Sequence, residues 1–262
     1  TCALPIFSTN YLTNDILVFH VNKLDYGLDI LIQIKKSLKI DCLINIFKNF
    51  KSKIASIYLQ QNNLNPELIL FYNKNKLNFG NYKVYGLIPP AGFYQATKVA
   101  ENKLIKNILN EIEIKNNYIL DLYSGSGTFT LPLLKYGYKV YAIDNNKSSI
   151  ESLIKSSKEQ NLFNNIEYNI SNLNKEKIET EFFQKFDVVI LDPPRAGSLL
   201  QLTSIVETKV KKIIYVSCNV QSFLRDTQIL LSNGYKIKYI LPIDQFLYTS
   251  HLEIFSVFET FN

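Results

Sequence analysis

Asp121-Leu122-Tyr123-Ser124-Gly125-Ser126-Gly127-Thr128-Phe129 is the stretch whose reading decides the fold. It closes an apolar strand, Tyr118 to Tyr123, and feeds a helix-length segment, so it reads as strand, glycine turn and helix. Glycine at 125 and 127 lets the backbone turn tightly and approach a ligand closely. A Gly-x-Gly turn is weak evidence by itself, and its weight comes from what surrounds it.

Outward from that turn the chain alternates strand with amphipathic helix. The strands are predicted at Tyr118 to Tyr123, Lys139 to Ile143, Ile166 to Asn169, Phe186 to Leu191 and Lys212 to Val216, each followed by a helix-length segment. Such alternation requires right-handed crossovers and gives a doubly wound α/β fold, whose ligands sit at the carboxyl ends of the strands. Two further strands, Tyr235 to Leu241 and Glu253 to Phe258, are joined without a helix and are predicted to pair as an antiparallel ribbon at the sheet edge.

Chemistry-bearing residues collect at those carboxyl ends. Asp144 closes the second strand 19 residues after Gly125, near the offset of about 20 at which an acid takes ribose hydroxyls. Thr130 follows Phe129 where a nicotinamide-binding turn needs a third glycine, which points away from NAD and towards S-adenosylmethionine. Asp192-Pro193-Pro194-Arg195 closes the fourth strand with a locked turn bracketed by an acid and a base. Cys218 ends the fifth strand, in Tyr215-Val216-Ser217-Cys218-Asn219. A free cysteine is usually a small buried hydrophobe. Here a helix-like segment, Asn219 to Leu231, follows it, and a helix N-terminus is expected to lower the thiol's pKa and favour a nucleophilic thiolate.

The front of the chain differs. Short alternating runs at Ile16 to Val21, Leu28 to Ile34, Ile54 to Leu59 and Leu68 to Tyr72, with one helix-like stretch around Asp41 to Phe50, predict a small α+β domain over residues 1–90. Pro89-Pro90-Ala91-Gly92 is a stiff joint, and Thr97 is the expected N-cap of a helix over Lys98 to Glu111, inside a second domain over residues 91–262. Residues 1–90 carry ten lysines against five acids, most of the net charge of +6. A phosphate-contacting platform and a merely solvated lysine face both account for that surplus, and the Lys, Asn and Ile bias of the whole chain is what AT-rich coding produces. Three scattered cysteines, Cys2, Cys42 and Cys218, argue against a disulfide framework and for a reducing, cytoplasmic setting. No apolar run approaches the roughly 20 residues of a membrane span, and Thr1 to Asn10 has no signal-peptide pattern. The absence of any methionine is expected of a processed or truncated chain.

Taken together, Gly92-Phe93-Tyr94-Gln95, the 121–129 turn, Leu191-Asp192-Pro193-Pro194-Arg195-Ala196-Gly197, Val216-Ser217-Cys218-Asn219, and Asp244-Gln245-Phe246 through His251-Leu252-Glu253 resemble, in the same order, the bacterial RNA uracil-5-methyltransferase family. The resemblance covers residues 89–259. It implies a class I S-adenosylmethionine-dependent methyltransferase domain, Rossmann-like with a seven-stranded, mostly parallel sheet, preceded by a small α+β domain. It also implies roles: Gln95, Tyr123, Asp144 and Asp192 contact the cofactor with the Gly125 and Gly127 turn, Cys218 adds to carbon 6 of uracil, and Glu253 removes the carbon-5 proton. The substrate is then a uridine in RNA, unfolded or with its target nucleotide extruded. The Asp-Gln-Phe-Leu form of the last motif is closer to the ribosomal branch, so 23S ribosomal RNA is the expected target. A transfer RNA T-loop uridine and a catalytically inactive RNA-binding fragment are the alternatives. A monomer is expected.

There are departures from the family. Asp144 stands where Glu is usual, Asn172 where Asp is frequent, and Ser124 and Thr128 replace a frequent Cys and Asn. Members commonly carry an N-terminal β-barrel and four cysteines for an iron–sulfur cluster. Cys2, in Cys2-Ala3-Leu4-Pro5-Ile6, resembles the last of those four. A C-terminal fragment or a reduced member is therefore expected, without a metal site, since one cysteine cannot hold a cluster.

Overall fold

The computed structural model describes residues 16–35, 44, 47–48, 50–62, 64–73, 76–112, 118–245, 249 and 251–260. The helix read around Asp41 to Phe50 lies largely outside them, as do Cys2 and Cys42. The chain divides into two compact units, residues 1–77 with 88–92 and residues 78–87 with 93–262.

The first unit is built on a four-stranded sheet in the order β1 (Ile16–Leu24), β2 (Gly27–Ile34), β3 (Ile54–Gln61), β4 (Glu67–Phe71). β1 and β2 form an antiparallel hairpin that closes at Leu24 opposite Gly27, whose φ of 132° suits glycine. β2 then pairs in parallel with β3, and β3 antiparallel with β4. Alternate residues of β2, Ile30, Ile32 and Ile34, join Phe47, Ile54 and Ile57 in one apolar cluster. Asp29 belongs to the other face of that strand and is 1% exposed. The Ser56 hydroxyl donates to its Oδ1, and its Oδ2 has no partner among the described residues.

A separate two-stranded ribbon is formed by β5 (Lys76–Asn78) and β6 (Tyr85–Leu87), and the second unit carries the seven-stranded sheet. Five strands of that sheet are parallel: β7 (Tyr118–Leu122), β8 (Lys139–Asp144), β9 (Ile166–Ile170), β10 (Val188–Leu191) and β11 (Lys212–Ser217). β12 (Tyr235–Ile243) and β13 (Glu253–Thr260) pair antiparallel with each other, and β13 runs antiparallel to β11. The order is β12-β13-β11-β10-β7-β8-β9. The predicted doubly wound sheet and its antiparallel edge ribbon are both present. The strands are near-continuous apolar runs because both faces are covered; Val188, Val189, Ile190 and Leu191 are each 3% exposed or less.

The helices between the strands start where capping side chains allow. α1 (Lys98–Glu111) is capped by Thr97, which accepts from Ala100 N at 3.1 Å, as the sequence predicts. α2 (Thr130–Lys135) follows the glycine turn, and α3 (Lys147–Glu159) is capped by Asn146. The short α4 (Thr180–Phe183) precedes β10, α5 (Leu199–Thr208) follows it, and α6 (Val220–Ser232) follows β11 under an Asn219 cap. β10 begins at Val188 rather than Phe186; just before it, Asp187 N donates to Tyr118 O at 3.0 Å and its carboxylate, in place of a backbone carbonyl, accepts from Tyr118 N at 3.1 Å. The chain runs outward from β7 through β8 to β9, then crosses to the other side of β7 to lay down β10 and β11. That reversal splays the connections after β7 and β10 apart and opens a crevice at the carboxyl ends of the central strands. Among the described residues no helix is long and apolar enough to cross a membrane.

Burial holds the Asp29 carboxyl at about 6, against the usual 3.8, and the Ser56 hydrogen bond offsets only part of the shift. The unfolded chain therefore gives up this proton first as pH rises, and stability falls between about pH 4 and 6, by on the order of 2–3 kcal/mol at most. Asp29→Asn should remove that part of the slope, so urea unfolding should show the variant gaining on the wild type between pH 4.5 and 7. An unchanged difference between them contradicts the buried, proton-holding carboxyl.

Candidate active site

The crevice is built from loop starts. Tyr123, first after β7, takes a φ of 64°, which strains a non-glycine residue and turns the chain out of the strand. Gly125 and Gly127 follow at φ 54° and 92°. A Cβ added at Gly125 meets nothing within 4 Å, whereas one at Gly127 meets Leu153 Cδ1 at 2.4 Å. The first glycine therefore keeps space open and the second permits close packing under the turn. Asp144, at the end of β8, accepts from Gly125 N at 2.9 Å and from Asn146 N at 2.7 Å, which holds its carboxylate against the turn. Three polar atoms of the turn region, Asp121 Oδ1, Ser124 Oγ and Ser126 Oγ, are buried without a partner among the described residues.

A second group forms beside the first. Gln95, 4% exposed, donates through Nε2 to Asp192 Oδ2 at 3.4 Å. Gln245 Nε2 donates to Gln95 Oε1 at 3.1 Å and to Glu253 Oε2 at 2.8 Å. A line of amide and carboxyl groups thus joins the residue after β10 to the first residue of β13. Burial governs its protonation. Glu253 is pushed up to about 7 by burial, against the hydrogen bond from Gln245. Asp192 is pushed well above the carboxylate range by burial, then by the charges of Glu253 and Asp121. Asp121 reaches about 7 through burial, opposed by the Thr130 hydroxyl that donates at 2.5 Å and reinforced by Asp144.

Cys218 follows β11, half-buried and free. The helix that opens after it is present, yet the thiol moves opposite to the expected direction: burial pushes it up first, then Glu253 and Asp192 add to the rise, while its own backbone N–H and Arg195 pull it down only in part. Carboxyl charge and desolvation outweigh the helix terminus, whose influence is confined to its first turn.

A family model described as tRNA (uracil-5-)-methyltransferase matches residues 16–260. The chain belongs to that family. An RNA methyltransferase of Agrobacterium fabrum is 34% identical over 197 residues, 75% of this chain and 46% of its own length. The 23S rRNA (uracil(1939)-C(5))-methyltransferase RlmD of Pasteurella multocida is 37% identical over 169 residues, 64% of this chain and 38% of its own length. The chain thus spans less than half the length of these curated relatives. Among solved structures, the Pyrococcus abyssi tRNA (uracil-54, C5)-methyltransferase in complex with S-adenosyl-L-homocysteine superposes with a TM-score of 0.74 at 26% identity, over 93% of this chain and 60% of that one.

For this member of the tRNA (uracil-5-)-methyltransferase family, the structure brings Gln95, Asp192 and Glu253 into one bonded group within electrostatic reach of Cys218, and Asp144 against the Gly125 turn. The Tyr123 hydroxyl is instead 3.2 Å from Ser198 Oγ. Asp226 escaped the sequence reading. It is fully buried on α6 and accepts from Tyr215 OH at 2.6 Å, Ser198 N at 2.8 Å and Arg225 Nε at 2.8 Å, tying α6 and the loop after β10 to the strand that ends in Cys218. Its helix position among polar neighbours offered no signal, because its partners are distant in sequence. Among the described residues no group of His, Cys, Asp and Glu is arranged to hold a metal.

Alanine at the two glycines separates their roles. Gly125→Ala should unfold within about 1–2 kcal/mol of the wild type, the cost of a left-handed residue. Gly127→Ala should lose clearly more, since Leu153 must also move. Equal stabilities in chemical denaturation contradict this division.

Proposed function

We propose that this chain is the catalytic part of an S-adenosylmethionine-dependent RNA uracil-5-methyltransferase. The observation that carries the reading is a buried carboxyl group at about 7, Glu253, within electrostatic reach of a half-buried cysteine at the carboxyl ends of a parallel sheet. A proton acceptor poised near neutrality beside a nucleophile is what substitution at carbon 5 of uracil needs.

The turn suits the cofactor: it has open space over Gly125 and three buried polar atoms awaiting partners. Asp144 would take the ribose diol, Ser124, Ser126 and the glycine backbone the amino-acid end, and Gln95, Tyr123 and Asp192 the remainder. When bound, S-adenosylmethionine supplies an electrophilic methyl group, which no side chain here offers. The side chains prepare the base and clear the proton. The Cys218 thiolate bonds to carbon 6, and the electrons of the 5,6 double bond pass to carbon 5 and oxygen 4, making carbon 5 nucleophilic. After carbon 5 is substituted, Glu253 takes its proton, the double bond returns and the sulfur leaves. A thiol held high is scarce as thiolate but more nucleophilic once ionised.

Ribosomal RNA is the proposed substrate, in line with the name of the Pasteurella relative and the form of the 244–247 motif. The Pyrococcus structure, named for transfer RNA, favours the second reading. The first unit would serve as the RNA platform; Lys35, Lys48, Lys51 and Lys53 are exposed on it.

Asp144→Ala should weaken S-adenosylmethionine binding by about tenfold to a hundredfold, the loss of a charge-assisted hydrogen bond. Calorimetry showing unchanged affinity contradicts the cofactor assignment. Cys218→Ala should abolish tritium release from carbon-5-labelled uridine in unmodified 23S ribosomal and transfer RNA transcripts, and continued release contradicts the covalent route.

A further inference from the structure

Gln245 lies in the Asp244-Gln245-Phe246 motif, and the reaction scheme above gives it no task. It is 5% exposed, and its one amide nitrogen serves two acceptors, Glu253 Oε2 at 2.8 Å and Gln95 Oε1 at 3.1 Å. Gln95 in turn donates to Asp192. Two amides therefore run between two acids, each end receiving an N–H. An ionised carboxylate only accepts hydrogen bonds, and the nitrogen of Gln245, which faces Glu253, is placed to support its charged form. Its carbonyl oxygen is left buried without a partner among the described residues. A side chain that merely filled this space would satisfy both ends of its amide or be apolar.

We propose that Gln245 is a positioning residue: it fixes the carboxyl group of Glu253 for removal of the carbon-5 proton and links that base, through Gln95, to Asp192. The proposal rests on the reading of Glu253 as the base. Hydrogen bonding to a carboxylate favours the charged form, and Gln245 is what opposes the effect of burial on Glu253. The charged and titratable groups around Glu253 are Asp192 after β10, Cys218 after β11, Asp121 on β7 acting through Asp192, and Arg195 acting on Cys218. Burial raises Glu253 and the Gln245 hydrogen bond lowers it, so without the amide Glu253 would keep its proton to higher pH and stop accepting one near neutrality.

The test is a carbon-13 NMR titration of the whole chain labelled at the glutamate carboxyl carbons, with the Glu253 signal assigned by its loss in Glu253→Gln. Wild type should titrate near 7. Gln245→Leu should raise that midpoint by about one pH unit, the equivalent of a lost charge-assisted hydrogen bond. Gln245→Glu keeps the size and, at low pH, a donating hydroxyl; it should turn the titration into two coupled steps with the upper one above the wild-type midpoint. A Glu253 midpoint unmoved in either variant overturns the proposal. The titration uses neither RNA nor cofactor, so it is separable from the reaction itself. An unmoved midpoint with Cys218 and Glu253 both essential removes only the role of Gln245. A moved midpoint in a chain whose Glu253→Gln variant turns over normally removes the reading of Glu253 as base.

Discussion

Three carboxyl groups, Asp121, Asp192 and Glu253, gather at the carboxyl ends of the central strands, the first and last buried and Asp192 half-buried, and the site depends on their removal from water. Three ionised acids removed from water would repel one another and each lose several kcal/mol of hydration. Among the described residues no cation is buried with them; Arg195, which acts on Cys218, is exposed. Instead the acids hold protons near neutrality and are bridged by uncharged donors, Thr130 to Asp121, Gln95 to Asp192 and Gln245 to Glu253. A cluster so arranged changes its charge with small changes in its surroundings, which suits a group that must take up a proton and release it.

The fold supplies the convergence. The reversal of strand order at β7 opens the crevice, and the antiparallel return of β13 beside β11 brings Glu253 to the end of the sheet where β11 delivers Cys218. Ser217 pairs with Ile254, so Cys218 and Glu253, the proposed nucleophile and base, follow and precede partners in one rung of the ladder. A slip of one residue in this register would turn Glu253 to the opposite face of the sheet. The backing of Tyr215 and Ser198 by Asp226 keeps the strand end and the loop after β10 fixed to α6.

Much of this was legible in the sequence because it is local. Strand and helix alternate with clear periods, Thr97 announces α1, and Gly125 and Asp144 lie at an offset that one strand–helix–strand unit imposes. Two features were not legible. The amide bridge joins Gln95 to Gln245 across 150 residues, and no spacing rule connects them. The direction of the Cys218 shift was misread because the helix after it is visible in sequence, whereas burial and two carboxyl neighbours arrive through tertiary contact. The charge of the first unit also stays ambiguous in sequence, since lysines that meet phosphate and lysines that meet water look the same.

The central claim is that Cys218 bonds to the base while Glu253 clears it, and peptide mass mapping of the arrested complex tests it most directly. The Glu253→Gln chain, incubated with S-adenosylmethionine and unmodified 23S ribosomal RNA or transfer RNA transcripts, is digested with nuclease and protease. A peptide containing Cys218 and carrying a methylated uridine nucleotide is the predicted product. A nucleotide attached at another residue, or methylated RNA formed with no attached peptide, would contradict the mechanism.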